Sequence, residues 1–235
     1  METPERLAAP TRPPAAWRWL ANTTTLGILG LGLLATAWRG SGLAAASVIV
    51  LAALVDGADG MFARRAGGPT RTGAVLDIAA DFIAFGVAPA GLALAQASAS
   101  DGSPAGNWPL AAVLGLYLAA ALARLVRSAR LVFAKPAGLA GLYVGLPMPT
   151  AGCLLAGLAL SLPAGWVGAA ALVISALAVS RRPYPSVPWL WQHRRASLAS
   201  FVAVTPLVAA LSPRAGLLLA SAVCAAYPWI SEVGA

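Results

Sequence analysis

A chain of 235 residues that is 59% hydrophobic and only 10% charged lacks the balance of a water-soluble domain. Its net charge of +8 does not mark a nucleic-acid binder, because the basic residues fall in loops and helix ends between apolar runs, where they set membrane topology and meet anionic lipid. Cys153 and Cys224 both lie in apolar runs and imply neither a disulfide framework nor a metal cluster.

Residues 1–16 are rich in proline and carry no signal-peptide core, so a flexible cytoplasmic N-terminus leads into an uncleaved first span. From Leu20 onward, apolar runs of membrane-spanning length recur. They predict helices over 20–38, 41–60, 73–98, 108–133, 146–162, 164–180, 197–211 and 214–231. The expected fold is an all-α integral membrane protein: a six-helix core within 17–180, a cytoplasmic loop over 181–196, and about two further membrane helices within 197–235. In the first helix, Asn22 to Thr25 could serve as an N-cap, and Gly27, Gly30 and Gly32 read as close helix packing. The second helix continues as a polar extension through Arg64. Pro147 and Pro149 stand where proline is tolerated, at a helix start. Pro206, Pro213 and Pro228 interrupt the last two runs, which suits a tilted hairpin.

Charge fixes an orientation. With the N-terminus in the cytoplasm, Arg6, Arg12, Arg18, Arg64, Arg65, Arg71, Arg124, Arg127, Arg130, Lys135, Arg181, Arg182, Arg194 and Arg195 fall inside, and only Arg39 and Arg214 outside. Trp17, Trp19, Trp108, Trp189 and Trp191 border the spans as interfacial anchors. The abundance of Ala, Gly and Arg suits a bacterial chain, and the inner membrane is its expected place.

Half of the eight acidic residues are aspartates crowded into one window: Asp56, Asp59, Asp77 and Asp81. An aspartate at the centre of a membrane helix costs on the order of 3 kcal/mol, so four of them need a reason. Asp56 and Asp59 are three apart and share one face of the second helix; Asp77 and Asp81 are four apart and share one face of the third. Gly67-Gly68-Pro69 is turn chemistry that folds the two helices together. Two carboxylates about 6 Å apart repel by roughly 3 kcal/mol at an effective dielectric near 20, so a bare quartet is unstable. Hard divalent cations, Mg²⁺ or Mn²⁺, relieve it, and two ions suit four carboxylates plus substrate phosphate oxygens. Gly60 and Gly73 let a ligand approach the backbone, and Arg64, one turn beyond Gly60, is placed to grip a phosphate with two hydrogen bonds.

Asp56, Asp59, Gly60, Ala63, Arg64, Gly73, Asp77 and Asp81 spell D-x2-D-G-x2-A-R-x8-G-x3-D-x3-D, a pattern that resembles the signature of the CDP-alcohol phosphotransferases at every position. The resemblance implies a membrane enzyme, expected as a homodimer, in which a hydroxyl displaces CMP from a CDP-linked lipid or alcohol. It implies Asp56, Asp59 and Asp77 as metal ligands, and Asp81 as a ligand that also serves as catalytic base. It implies Gly60, Arg64 and Thr70, with Gly73 beside them, as contacts to the cytidine diphosphate. Asn22 and Thr25 match the family's N-x-x-T, which helps hold the nucleotide.

Three more stretches resemble bacterial-type phosphatidylserine synthases: Phe85 to Ala90, Arg124-Leu125-Val126-Arg127, and Gly145 to Thr150. Ala129 departs from that subfamily, which usually carries asparagine there. The reaction implied joins CDP-diacylglycerol and L-serine to give phosphatidylserine and CMP, with Arg124, Arg127 and Arg130 as candidates to hold the serine carboxylate. Related enzymes use glycerol 3-phosphate, inositol phosphate or another alcohol. A cation-coupled transporter, the alternative from another class, would not need Arg64, Gly60 and Gly73 at these spacings.

Overall fold

A computed structural model of the chain describes residues 15–38, 40–65, 70–101, 107–134 and 142–185, together with Leu218. The expected N-terminal segment up to residue 14, Lys135, and the helices expected over 197–211 and 214–231 lie outside the described residues.

The described chain runs up and down as six helices. Helix α1 spans Ala15–Ala37 and α2 spans Gly42–Arg65. Helix α3 is continuous through Arg71–Asp81, a π-helical turn at Phe82–Val87, and Ala88–Asp101. Helix α4 spans Trp108–Ala134, α5 Met148–Ala159 and α6 Ala164–Val179. Short strands β1 (Leu142–Val144) and β2 (Pro183–Pro185) pair antiparallel, with Tyr143 opposite Tyr184. The described elements are otherwise helical, in keeping with the all-α expectation, and this short ladder ties the entry of α5 to the exit of α6.

Local chemistry sets the helix starts. Ser41 Oγ accepts the Ala44 N–H at 3.3 Å before α2, and Thr70 Oγ1 accepts the Gly73 N–H at 3.0 Å before α3. Pro147 and Pro163 precede α5 and α6, where a missing N–H costs nothing. Helix α1 begins at Ala15, so Asn22 to Thr25 lie within it and do not cap it. Thr23 and Thr24 instead donate back to Trp19 O at 2.8 Å and Leu20 O at 3.0 Å.

Small residues let the helices close up. A Cβ on Gly32 would stand 2.7 Å from Ala84 Cα, so α1 crosses the π-turn of α3 at backbone contact. A Cβ on Gly152 would stand 2.9 Å from Phe85 Cα, so α5 does the same from another side. Gly27 and Gly30 have nothing within 4 Å, which confines the packing expectation to Gly32. Ile28, Ile49, Phe85, Tyr117, Leu146, Met148, Leu155 and Ile174 fill the centre. The outside carries Leu33, Leu51, Leu54, Leu116, Leu172 and Val173 exposed, a surface that suits lipid and not water. By length and composition, Arg71–Ser100 and Trp108–Leu131 are long enough to cross a bilayer, and four shorter apolar helices stand beside them.

The π-turn has a cause in the sequence. In an α-helix the carbonyl of Phe85 would accept the N–H of residue 89, but residue 89 is proline, which has no N–H and whose ring crowds that carbonyl. The turn widens, Ala88 N–H reaches Ile83 O, and Tyr117 of α4 donates its hydroxyl to Phe85 O at 2.6 Å.

Candidate metal centre

Helix α1 packs along both α2 and α3. Near the end of α2, Asp56 faces the first half of α3, where Asp77 and Asp81 project one turn apart. One carboxylate oxygen from each of the three lies within 4.8 Å of the others. Asp56 and Asp77 are half-buried, and Asp81 is buried at 7% exposure, immediately before the π-turn. Asp59, Gly60 and Arg64 lie on the last turns of α2, and their side chains fall outside the described residues.

A second group adjoins this cluster. Gly73 stands one turn before Asp77, and a Cβ there would lie 3.0 Å from Thr70 Oγ1 and 3.8 Å from Asn22 Oδ1. Asn22 of α1 therefore reaches the first turn of α3. Thr70 accepts from Gly73 N–H through its oxygen, and a hydroxyl so used keeps its own proton to donate. Thr25 follows Asn22 on α1 and is buried at 5% exposure.

The three arginines of α4 part company. Arg127 turns its guanidinium onto the chain itself, donating to Val179 O at 2.6 Å and to Val144, Ala178 and Ser180 carbonyls at 3.1 Å each. Those carbonyls belong to the end of α6 and to β1, so Arg127 caps a helix C-terminus. Gly145 makes room for it: its φ is +83°, and a Cβ there would stand 2.7 Å from Arg127 Nη2. Thus Arg127 and Gly145, far apart in sequence, meet at one joint. Arg124 is buried at 5% exposure, whereas Arg130 is exposed.

The donor set fits a hard divalent cation. All three described groups are carboxylates, the ligands that suit Mg²⁺ and Mn²⁺. Opposite oxygens on one Mg²⁺ stand about 4.2 Å apart. Only one pair among three donors can be opposite, and neighbouring oxygens on one ion stand about 3 Å apart, so a spread of up to 4.8 Å closes on one ion after side-chain movements of about an ångström and also suits a pair of ions sharing the carboxylates. Sequence reasoning missed Tyr117 and the β1–β2 pair. The signal for Tyr117 was Pro89, a proline inside a helical run that must leave a carbonyl for some other donor.

Comparison with known proteins agrees with this geometry. The sequence model of the CDP-alcohol phosphatidyltransferase family matches residues 18–180. The chain is 32% identical over 186 residues to the CDP-diacylglycerol–serine O-phosphatidyltransferase of Mycobacterium leprae (strain TN), covering 72% of this chain and 59% of that protein. It is 32% identical over 187 residues to the protein of the same name from Mycobacterium tuberculosis (strain H37Rv), covering 72% and 62% respectively. The inner membrane protein YnjF of Escherichia coli (strain K12) is 41% identical over 90 residues, 38% of this chain and 41% of that one. The chain thus spans about three fifths of the length of the serine phosphatidyltransferases it matches. With the family match covering the whole described bundle from α1 to α6 and the acidic cluster within it, the chain belongs to the CDP-alcohol phosphatidyltransferase family.

Proposed function

We propose that this protein is an enzyme that transfers the phosphatidyl group of CDP-diacylglycerol to L-serine, releasing CMP. The observation that carries the proposal is the convergence of Asp56, Asp77 and Asp81 within 4.8 Å, beside the Asn22, Thr70 and Gly73 group. The names of the mycobacterial relatives favour serine as acceptor.

In this reading Asp56, Asp59, Asp77 and Asp81 hold Mg²⁺ or Mn²⁺, as two ions. Bound there, the metal neutralises the diphosphate and the charge that develops on the departing CMP. Arg64 clamps a phosphate of the nucleotide by paired hydrogen bonds, while Asn22, Thr25, Gly60, Thr70 and Gly73 shape the place for the cytidine diphosphate. Asp81 accepts the proton of the serine hydroxyl as its oxygen bonds to the lipid-side phosphorus and the bridging P–O bond to CMP breaks. Its burial keeps water from competing at that oxygen. Arg124 and Arg130 remain for the serine carboxylate, since Arg127 is engaged with backbone carbonyls. The enzyme works as a homodimer in a bacterial inner membrane, with its site toward the cytoplasm and its C-terminal segment adding two membrane helices.

The test is product identity. Purified protein in detergent with Mn²⁺ and CDP-diacylglycerol is given L-serine, glycerol 3-phosphate or inositol phosphate in parallel, and the lipid product is identified by mass. Serine is expected to yield phosphatidylserine. Product from a phosphorylated alcohol alone would overturn the acceptor, and no product from any of them would overturn the activity.

A further inference from the structure

We infer that Tyr117 and Pro89 are positioning residues for the acidic cluster: together they maintain the π-turn that aims Asp77 and Asp81 at Asp56. This rests on the metal-site reading above. Three helices hold the turn. Gly32 of α1 lies against Ala84, Gly152 of α5 lies against Phe85, and the Tyr117 hydroxyl of α4 meets Phe85 O at 2.6 Å. Tyr117 is fully buried, so no water can replace its hydroxyl as the donor. Pro89 denies the same carbonyl its α-helical partner. The two residues act on one oxygen, the first by supplying a donor and the second by removing the competing one.

The cluster lies on the other side of that turn. Asp81 is the residue immediately before it, and Asp77 lies one α-helical turn earlier. A π-turn accommodates one extra residue in the helix, and on a helix of 3.6 residues per turn that residue rotates the preceding segment by about 100°. The segment after the turn is fixed by its packing on α5. Loss of the π-turn would therefore be taken up by the first half of α3. With carboxylates about 5–6 Å from the helix axis, a rotation of that size displaces them by about 8 Å. That exceeds the whole spread of the cluster, 4.8 Å. π-turns are often found at functional sites, and the one in α3 lets a lipid-buried helix turn two acidic groups inward without altering the packing of its apolar half.

The experiment measures Mn²⁺ binding by electron paramagnetic resonance and thermal melting of the full chain in detergent. It compares the wild type with Tyr117→Phe, the double variant Tyr117→Phe/Pro89→Ala, and Asp81→Asn as the reference for a damaged site. The double variant gives residue 89 an N–H for Phe85 O, so the helix can close as an α-helix with every carbonyl satisfied. It is expected to melt no lower than Tyr117→Phe and to bind Mn²⁺ at least about tenfold more weakly than the wild type, the scale set by residues that orient metal ligands. Tyr117→Phe alone is expected to weaken Mn²⁺ binding in the same direction. If both variants melt lower but bind Mn²⁺ as the wild type does, Tyr117 is a packing residue and the inference is overturned. Should the double variant not fold, unchanged Mn²⁺ affinity in folded Tyr117→Phe overturns it equally. A wild type that binds no Mn²⁺ removes the site and the inference with it. A wild type that binds Mn²⁺ in the expected order but releases no CMP overturns the proposed activity and leaves the inference standing.

Discussion

Replacing Asp77 by asparagine should stabilise the metal-free protein and destroy its response to metal. Three carboxylate oxygens lie within 4.8 Å of one another. At that outer separation and an effective dielectric near 20, each pair repels by about 3.5 kcal/mol. Asp77 takes part in two of the three pairs, so its charge carries at least about 7 kcal/mol of repulsion in the rigid, metal-free cluster. Side chains that swing apart relieve most of this, which leaves an expected gain of about 1–3 kcal/mol for Asp77→Asn. For a chain of this size, that is a rise in melting temperature of roughly 3–10 °C in EDTA. Mn²⁺ at a hundred times its dissociation constant should stabilise the wild type by about 2.7 kcal/mol, a similar shift, and leave the variant nearly unmoved. The lead of the variant in EDTA should therefore close or reverse in Mn²⁺ in a melt followed by tryptophan fluorescence. If Asp77→Asn melts below the wild type in EDTA, and Mn²⁺ moves neither, the aspartates are ordinary helix polar groups and the electrostatic reasoning is wrong.

Helix packing and capping give further expected outcomes. Gly32→Ala places a methyl 2.7 Å from Ala84 Cα, and backbone cannot yield as a side chain does, so a loss of about 1–3 kcal/mol is expected in thermal melts. Gly30→Ala, with nothing within 4 Å, should be neutral or gain up to about 1 kcal/mol from helix propensity. Arg127→Ala strips the charged donor from four carbonyls and should cost at least about 3 kcal/mol, lowering the melting temperature while KM for serine in the folded protein stays unchanged. Burial pushes the Tyr184 phenol above its ordinary value of 10.0, although the Arg182 guanidinium pulls the other way. A group that holds its proton more tightly when folded contributes fully below pH 10 and loses that contribution as pH rises above it. The wild type should therefore lose stability relative to Tyr184→Phe above pH 10, which melts taken across that range will check.

The parts of this fold legible in the sequence were those that repeat or alternate. Long apolar runs gave the described helices with boundaries within a few residues, except that α1 starts five residues earlier than expected, at Ala15, and α5 is shorter than expected at both ends. The four-residue spacing of Asp77 and Asp81 put them on one face of α3, where Asp56 of α2 meets them. What stayed hidden depends on partners far along the chain. Pro89 in a helical run signals a missing hydrogen bond, but whether the helix kinks, breaks or widens depends on Tyr117, which belongs to another helix. Arg124, Arg127 and Arg130 are evenly spaced, and spacing alone could not tell that Arg127 faces the end of α6 while Arg130 faces outward. Gly27, Gly30 and Gly32 look alike in sequence, yet only Gly32 meets another backbone. Strands of three residues that contain Pro183 and Pro185 carry no periodic signal at all.

Whether the acidic cluster is a metal-dependent centre that opens the diphosphate of a CDP-lipid is tested most directly by CMP release. CMP is measured from CDP-diacylglycerol with and without Mn²⁺ and with and without L-serine, for the wild type and Asp81→Asn. Release that requires both Mn²⁺ and serine, and that disappears in Asp81→Asn, is the expected result; release that persists in EDTA or in Asp81→Asn would contradict it.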